Sequence, residues 1–191
     1  MALFFTSDTH FTDPRILRID RRPFANLSAH DEALIANWNA VVAPSDEVWH
    51  LGDFARGSQD HVEALLARLN GSKHLIIGNN DGPATLEASG WASVHHYTEM
   101  TIDDRLVILC HYPFRTWNGM SRKSVDLHGH SHGKLSPTTR QYDVGVDVWD
   151  FRPVGFEEIV TRRRRAVSRD RSDRGRPSAR PAPPRPHGDD A

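Results

Sequence analysis

The sequence predicts an α/β fold in which two β-sheets pack together between helices. In the first half of the chain, strand-like apolar runs alternate with amphipathic segments, an order typical of layered folds with a mainly parallel sheet. From Val94 onward, strand-like runs follow one another with turns between them. The chain has 191 residues, 38% of them hydrophobic, so it can form one globular domain with a substantial core.

The first half is expected to contain three strands and three helices. The strands are the apolar runs 2–6, 47–51 and 73–77. The helices begin at Asp13-Pro14 and span 28–42 and 58–69. Ser28 is the expected N-cap of the second helix. The arginines of the first helical segment most simply form a solvated face: Arg15, Arg18, Arg21 and Arg22.

The second half is expected to contain a hairpin, two further strands and a final helix. The hairpin joins Val94–Ile102 to Leu106–Cys110 through the turn 103–105. The later elements are a strand from Val125, a hairpin-like strand at 141–146 and a helix from Phe156.

Charge is distributed unevenly along the chain. The formal net charge is −1, but residues 161–191 contain ten arginines and four aspartates, which is about +6 in this segment alone. The segment also has almost no apolar side chains. We therefore expect residues 1–160 to be the folded domain and 161–191 to be an Arg- and Pro-rich disordered tail. A less favoured hypothesis is that this tail binds the phosphates of RNA or DNA through its positive charge.

Cysteine content and hydropathy bear on the compartment. Cys110 is the only cysteine, which excludes an intrachain disulfide and favours a reducing compartment. No apolar run approaches the roughly 20 residues of a membrane helix, and the apolar residues 1–5 are too few for a signal peptide. We expect a soluble, cytoplasmic protein with no membrane partner. The sequence gives no indication of its oligomeric state.

Short clusters of Asp, His or Asn follow the predicted strands. The richest is 125–133, where three histidines occupy alternate positions between glycines. Taken singly, such clusters have ordinary explanations, since residues 8–10 can form an Asx turn and 78–82 a plain turn. His50, inside its strand, is expected to be packed rather than ligating. Together the clusters place seven candidate ligands at strand ends, where α/β sheets gather their ligands. The seven are Asp8, His10, Asp53, Asn79, His111, His130 and His132.

This set combines carboxylate, imidazole and amide donors and contains no thiolate. It favours Mn²⁺, with Fe or Zn as alternatives, over Mg²⁺ or a structural zinc site. Seven ligands are too many for one metal and suit two metals that share a carboxylate. Two metals about 3.5–4 Å apart can clamp a phosphoryl group and generate hydroxide from water. The residues therefore predict a metal-dependent hydrolase of phosphate esters.

The motifs, in their order, resemble those of the calcineurin-like metallophosphoesterases. The matching segments are Asp8-Thr9-His10, Gly52-Asp53, Gly78-Asn79-Asn80-Asp81, His111 and Gly129-His130-Ser131-His132. The resemblance runs to about Val160 and implies a four-layer αββα sandwich with a dimetal site at the sheet edge. It implies one metal on Asp8, His10 and His132 and another on Asn79, His111 and His130. Asp53 would bridge the two metals, and a metal-bridging hydroxide would be the nucleophile.

Asn80 departs from the family pattern, which usually has a histidine at this position that protonates the leaving group or holds the phosphate. Asparagine can donate a hydrogen bond but cannot transfer a proton at neutral pH. The favoured hypothesis for the function is a phosphodiesterase or a phosphomonoesterase. The alternative is a catalytically weakened member that binds metal or nucleotide as a scaffold. The residues expected to act in catalysis are Asp53, Asn79, Asn80 and His111.

A phosphate-ester substrate, such as a nucleotide, needs cationic or amide contacts beyond the metals. The loop 113–123 offers four such side chains. We expect substrate contacts from Arg115, Asn118, Arg122 and Lys123.

Overall fold

The computed structural model describes residues 1–136 and 138–162, and these residues form two β-sheets that pack together. The strands of the first sheet are β1 (Leu3–Thr6), β2 (Glu47–His50), β3 (Ser72–Ile76), β4 (Trp91–His95) and β9 (Val154–Gly155). The strands of the second are β5 (Tyr97–Ile102), β6 (Arg105–Cys110), β7 (Val125–His128) and β8 (Gln141–Asp143). Their spatial orders are β4-β3-β2-β1-β9 and β5-β6-β7-β8. The α/β class and the two-sheet arrangement are confirmed.

Five helices accompany the sheets: α1 (Ile16–Ile19), α2 (Leu27–Val41), α3 (Gln59–Arg68), α4 (Pro83–Leu86) and α5 (156–162). The predicted cap of α2 is wrong by two residues. Asn26, rather than Ser28, accepts the Ala29 amide at 2.9 Å, because the helix begins at Leu27. Ser58 caps α3. Of the predicted tail, only residues 161 and 162 are described, and they are helical; the rest lies outside the described residues.

Successive side chains of β1 point to opposite faces of the first sheet and pack into two separate hydrophobic cores. Phe4 packs toward α2 and α3, in a core that contains Trp38 and Leu66. Phe5, one residue on, faces the second sheet and packs in a core with Leu127. Burial of such a side chain contributes roughly 1.5–3 kcal/mol, so both faces of the first sheet are strongly constrained.

Two predictions about the strand-rich half are wrong in detail. The run 94–102 is not one strand: β4 ends at His95 in the first sheet and β5 begins at Tyr97 in the second. The strand β8 is not part of a hairpin, since it pairs parallel with β7. The β5–β6 hairpin is confirmed, and its two turn residues, Asp103 and Asp104, both have positive φ.

The outer faces of the two sheets are covered differently. Helices α2 and α3 cover the first sheet, and the loop 112–124 with its 3₁₀ turn (Met120–Arg122) covers the second. This loop buries Trp117, and the Phe114 amide donates to Asp126 on β7. Within the described ranges, no helix is both long enough and apolar enough to cross a membrane.

Candidate metal centre

The carboxyl ends of five strands converge at one edge of the sandwich and carry all seven predicted ligand residues. Asp8 and His10 follow β1, Asp53 follows β2 and Asn79 follows β3; His111 follows β6, and His130 and His132 follow β7. The strands β1, β2 and β3 run parallel, as do β6 and β7, so their ends meet at the same edge. The structure therefore places these residues at the sheet edge, as the sequence predicts.

One half of this cluster consists of Asp8, His10 and His132. Asp8 Oδ1 lies 3.5 Å from His132 Nε2 and 4.0 Å from His10 Nε2. The two imidazole rings stack with their centroids 5.3 Å apart. Ligand atoms of these three residues lie within 4.8 Å of one another, close enough to hold one metal ion.

The other half is organised around Asp53 and His111. Asp53 Oδ2 lies 3.7 Å from His111 Nε2 and 3.6 Å from His10 Nε2, so one carboxylate oxygen is reached by an imidazole from each half. Asn79 Oδ1 lies 3.1 Å from His111 Nε2. His130 is exposed, and its ring centroid lies 5.1 Å from that of His111. A second group within 4.8 Å joins Asp53 and His111 to Asp8.

Two atoms of the cluster fit a metal better than they fit a metal-free protein. Asp8 Oδ1 and His10 Nε2 are buried and have no hydrogen-bond partner among the described residues. Buried polar atoms normally have partners, and each exception requires an explanation. A carboxylate oxygen and an imidazole nitrogen that converge without partners are the donors that a divalent transition metal takes.

The backbone at the ligands is unusual. Five of the seven ligand residues have positive φ, between 47° and 66°: Asp8, His10, Asp53, His130 and His132. This left-handed region is disfavoured for residues other than glycine and is concentrated at functional sites.

Two glycines allow the ligand loops to approach one another. A Cβ at Gly129 would lie 1.9 Å from Ser7 Oγ and 2.5 Å from Asp8 Oδ2. At Gly52, which has φ +95°, a Cβ would lie 2.6 Å from His111 Nδ1. Neither position can accommodate a larger residue without movement of the ligands.

Burial sets the protonation of the ligands in the metal-free protein. It raises the pKa of Asp8 to about 8, although nearby His132 opposes the shift. Burial lowers the pKa of His10 to about 4, despite the attraction of Asp53, and it lowers the pKa of His111. Near neutral pH, His10 and His111 are therefore neutral and have a lone pair available for a metal.

The tautomers of two histidines are fixed by their outer nitrogens. His111 Nδ1 lies 2.7 Å from the Leu51 carbonyl oxygen, and His132 Nδ1 lies 2.8 Å from Asp147 Oδ2. Both acceptors require an N–H at Nδ1, so Nε2 faces the cluster with its lone pair. Burial disfavours the charged form of His132, but the hydrogen bond to Asp147 and the charges of Asp8, Asp147 and Asp20 together outweigh burial and raise the pKa of His132.

Arg22 and Asp147 contact the candidate ligand residues, which the sequence did not reveal. Arg22 was expected on a solvated face, and this is wrong: its side chain is fully buried. It donates to both Asp147 oxygens, at 2.9 and 2.8 Å, and to the carbonyl oxygens of Asp8 and Thr9. Arg22 and Asp147 are 125 residues apart, and their contact links the loop of Asp8 to the carboxylate that holds His132. No local pattern signals such a contact.

Asn80 and Asp81 hold Asp53 in place. The Asn80 side-chain amide donates to Asp53 Oδ2 at 2.6 Å, and its backbone N–H donates to Oδ1 at 2.7 Å. The Asp81 carboxylate accepts the backbone amides of Asp53, Phe54 and Gly78, each at 2.8 Å. Burial raises the pKa of Asp81 to about 6, although these hydrogen bonds oppose the shift.

His50 is packed, as predicted. It is fully buried, and its Nε2 lies 2.9 Å from Thr9 Oγ1, which itself donates to the Phe54 carbonyl oxygen. His50 therefore supports the backbone beside Asp8 without facing the cluster.

A cavity of about 210 Å³ opens beside the cluster, and the cation that lines it is Arg15. Arg15 is paired with Asp13 through its Nε and Nη2 atoms. The four predicted substrate contacts are not among the lining residues. Asn118 donates to the Glu99 carboxylate, Arg115 is exposed on the loop that covers the second sheet, and Arg122 and Lys123 line a different cavity.

Comparison with known proteins identifies the class to which this centre belongs. The sequence profile of the calcineurin-like phosphoesterase superfamily domain matches residues 1–146. The chain belongs to this superfamily. It is therefore a hydrolase of phosphoric ester bonds, from a family that depends on two metals, and its candidate ligand groups lie at the sheet edge.

Two relatives and one solved structure are similar over most of their length. The Gene 66 protein of Mycobacterium phage L5 is 30% identical, over 82% of this chain and 91% of that protein. Protein MJ1445 of Methanocaldococcus jannaschii is 27% identical, over 83% of this chain and 89% of that one. Protein AQ665 of Aquifex aeolicus shares the fold, with a TM-score of 0.66 and 21% identity over 82% of this chain and 96% of that one.

Proposed function

We propose that the chain hydrolyses phosphate mono- or diesters at a centre of two divalent metals. The seven ligands are Asp8, His10, Asp53, Asn79, His111, His130 and His132. The observation that carries the proposal is the approach of His10 Nε2 and His111 Nε2 to the same oxygen of Asp53, at 3.6 and 3.7 Å. An oxygen placed in this way is suited to be the ligand that two metals share.

The division of ligands is the one that the family resemblance implies: Asp8, His10 and His132 at the first metal position, Asn79, His111 and His130 at the second, and Asp53 between them. The proximity of Asp8, His10 and His132 supports the first position, and the 3.1 Å between Asn79 Oδ1 and His111 Nε2 supports the second. The donors are oxygen and imidazole nitrogen, which favours Mn²⁺ and leaves Fe and Zn as alternatives. Because the lone cysteine, Cys110, is unpaired and buried, we also propose a cytoplasmic location.

When two divalent metals are bound, they neutralise charge on the phosphoryl oxygens and make water a nucleophile near neutral pH. The residues of the chain hold that arrangement rigid. His111 is oriented by the Leu51 carbonyl oxygen and His132 by Asp147. Asp53 is held by two hydrogen bonds from Asn80, so its position is fixed before substrate arrives.

Asn80 determines which leaving groups the centre can expel. Its side chain donates to Asp53 and has no proton to transfer to a departing alkoxide. We therefore propose that esters with stable leaving groups are the better substrates. The alternative, a weakened member that binds metal or nucleotide as a scaffold, rests on this same residue.

Metal-dependent hydrolysis tests the proposal against the scaffold alternative. The full-length chain is stripped with chelator, reloaded with Mn²⁺, Fe²⁺ or Zn²⁺, and assayed on bis(p-nitrophenyl) phosphate and p-nitrophenyl phosphate. We expect turnover that requires metal and saturates near two ions per chain. Binding of two ions without turnover of either ester would favour the scaffold, and binding of fewer than two would contradict the dimetal assignment.

A further inference from the structure

A second cavity lies at the end of the second sheet opposite the metal centre. Its volume is about 400 Å³, and it is lined by the starts of β6 and β7, by Arg140 just before β8 and by Val160 of α5. The metal ligands follow the carboxyl ends of β6 and β7, whereas this cavity lies at their amino ends. The two sites are therefore separated by the length of these strands.

The lining of this cavity is strongly basic. Arg105, Arg122, Lys123 and Arg140 contribute four positive charges, against the one carboxylate of Asp104. In ranges 1–136 and 138–162, none of these four cations forms an ion pair with a carboxylate within 4.0 Å. Such a concentration of unpaired positive charge in a concave site attracts an anion.

Arg140 carries the most informative contact. Its Nη2 donates to the Met120 carbonyl oxygen at 2.8 Å, but its Nε–H is buried and has no partner among the residues that the structure describes. Arg105, at the start of β6, is also partly buried. A buried donor on a cationic group is costly unless something accepts from it, and an anion in the cavity would do so.

The cations are presented on fixed backbone rather than on a loose loop. The turn before β7 is closed by hydrogen bonds from the amides of Arg122 and Ser124 to the Gly119 carbonyl oxygen, at 2.8 and 3.2 Å. Arg140 is tied at its own carbonyl oxygen, which accepts the Asp126 amide at 2.9 Å. A site arranged in this way binds a charged ligand without first having to order its own side-chain supports.

We propose that this cavity binds a phosphate-bearing anion. Guanidinium groups match phosphate oxygens in bidentate geometry, and three of the four cations are arginines. The volume admits more than one phosphate, so the ligand is a small polyphosphate or successive phosphates of a nucleic-acid strand. The sequence just after Val160 carries four consecutive arginines, residues 162–165, which favours a ligand with several negative charges.

Calorimetry on the full-length chain stripped of metal tests this proposal, because the catalytic centre then has no metal to which phosphate can bind. Inorganic tripolyphosphate is the probe. Arg105→Gln with Arg140→Gln should weaken its binding at least about tenfold. Arg122→Gln with Lys123→Gln, two exposed side chains whose loss leaves the core intact, should do the same.

The matched control removes two exposed arginines elsewhere, Arg18→Gln with Arg68→Gln, and should change the affinity less than about twofold. Equal weakening in all three double variants, or no binding by the unaltered chain, would overturn the proposal. Neither result depends on metals or turnover, so failure here is distinct from failure of the proposed function.

Two further probes identify the source of the phosphate. A twelve-residue oligothymidylate that binds more tightly than tripolyphosphate, with a log–log salt slope near −2 to −3 for three or four contacts, would indicate a nucleic-acid strand. Tighter binding of tripolyphosphate would indicate a small polyphosphate. A glutamate decapeptide that bound as tightly as both, with the same dependence on the cavity arginines, would show that phosphate is not what the cavity recognises.

Discussion

The two halves of the metal centre are built in different ways. Asp8 and His10 are buried, and the side chain of His132 is only 12% exposed. In the other half His111 is buried, but Asn79 and His130 are exposed to solvent. In the first half, Asp147 holds His132 and is itself held by Arg22, whereas the ring of His130 lies against the rings of His111 and Tyr112.

This difference indicates a division of labour. The buried half holds Asp8 and His10 in the interior, and Asp147 orients His132 before a metal arrives. We therefore expect this half to bind the tighter ion. Asn79 and His130 of the open half are exposed to solvent, so we expect the ion at this half to exchange more readily. Asp53 belongs to both halves, and changes at Asp53 should therefore have the largest effect.

Asp53→Ala should lower the metal content from about two ions per chain to one or fewer. It should reduce kcat/KM for bis(p-nitrophenyl) phosphate by more than the roughly 10²–10³-fold that follows loss of one electrostatic contact to a transition state. Elemental analysis after Mn²⁺ loading and steady-state kinetics measure the two effects. Asp60→Ala, an exposed carboxylate on α3, is the control and should change neither. Unchanged metal content in Asp53→Ala would contradict the shared-ligand assignment.

Asn80→His tests whether the open half lacks a proton donor. Turnover of alkyl or nucleoside esters should rise, within the roughly 10²–10⁴-fold range of general acid catalysis, and turnover of nitrophenyl esters should rise much less. The measurement is kcat/KM for both ester types across pH, with metal content checked in each protein. Asn80→Gln is the control, since it keeps an amide. Equal gains for both esters would show that position 80 acts through geometry instead.

Asp147→Asn should loosen the buried half selectively. The pKa of Asp147 is held well below its usual range, because hydrogen bonds from His132 and Arg22 outweigh the effect of burial. Loss of this charge should weaken the tighter metal by roughly 10–100-fold, as for other partners of metal-bound histidines. Competition with a fluorescent chelator measures this affinity. Asp150→Asn, an exposed carboxylate three residues on, should leave it unchanged, and equal losses in both variants would remove the distinction between the halves.

Metal binding to the buried half should release protons below pH 8. Burial raises the pKa of Asp8 to about 8, so in the metal-free protein this carboxyl is protonated at pH 6.5 and must ionise before it can bind. We expect about one proton or more to be released per first metal at pH 6.5 and almost none at pH 9.5. Calorimetry in two buffers of different ionisation enthalpy counts these protons. The same heat in both buffers at pH 6.5 would show that Asp8 is already ionised.

Removal of residues 168–191 should have the smallest effect, because the ligands of both halves lie before residue 133. Hydrolysis of bis(p-nitrophenyl) phosphate and the melting temperature should match those of the full chain. A truncated chain that folds but loses hydrolysis would place part of the centre in the region predicted to be a tail.

The elements that the sequence predicted well are those whose pattern is local. A few neighbouring residues are enough to recognise the apolar runs of β1, β2 and β3 and the apolar stripes of α2 and α3. The break at His96 could not be seen, because a strand that ends and another that begins in a different sheet form one continuous run of residues. The parallel pairing of β8 with β7 likewise depends on how the chain returns after residue 136, and the sequence of β8 does not encode it.

The same distinction between local patterns and distant contacts applies to the candidate metal centre. The seven predicted ligand residues follow strand ends, which can be recognised in the sequence, and the structure brings all seven to one edge of the sandwich. Arg22 and Asp147 were missed because their importance comes from one contact across 125 residues. Arg122 and Lys123 are predicted substrate contacts because they lie in the cationic loop 113–123, but this loop leads to the amino end of β7, away from the metal centre.

Five candidate ligands have a left-handed backbone conformation, which lowers the stability of the fold at the positions that its chemistry requires. A non-glycine residue in this conformation costs about 1–2 kcal/mol, and glycine would relieve that strain. At Asp8, His10, Asp53, His130 and His132, the residue that best suits the backbone is therefore one that can bind no metal. Laboratory evolution that rewards only heat resistance should lose the catalytic centre before it touches the core, with glycine the first replacement to appear at these positions.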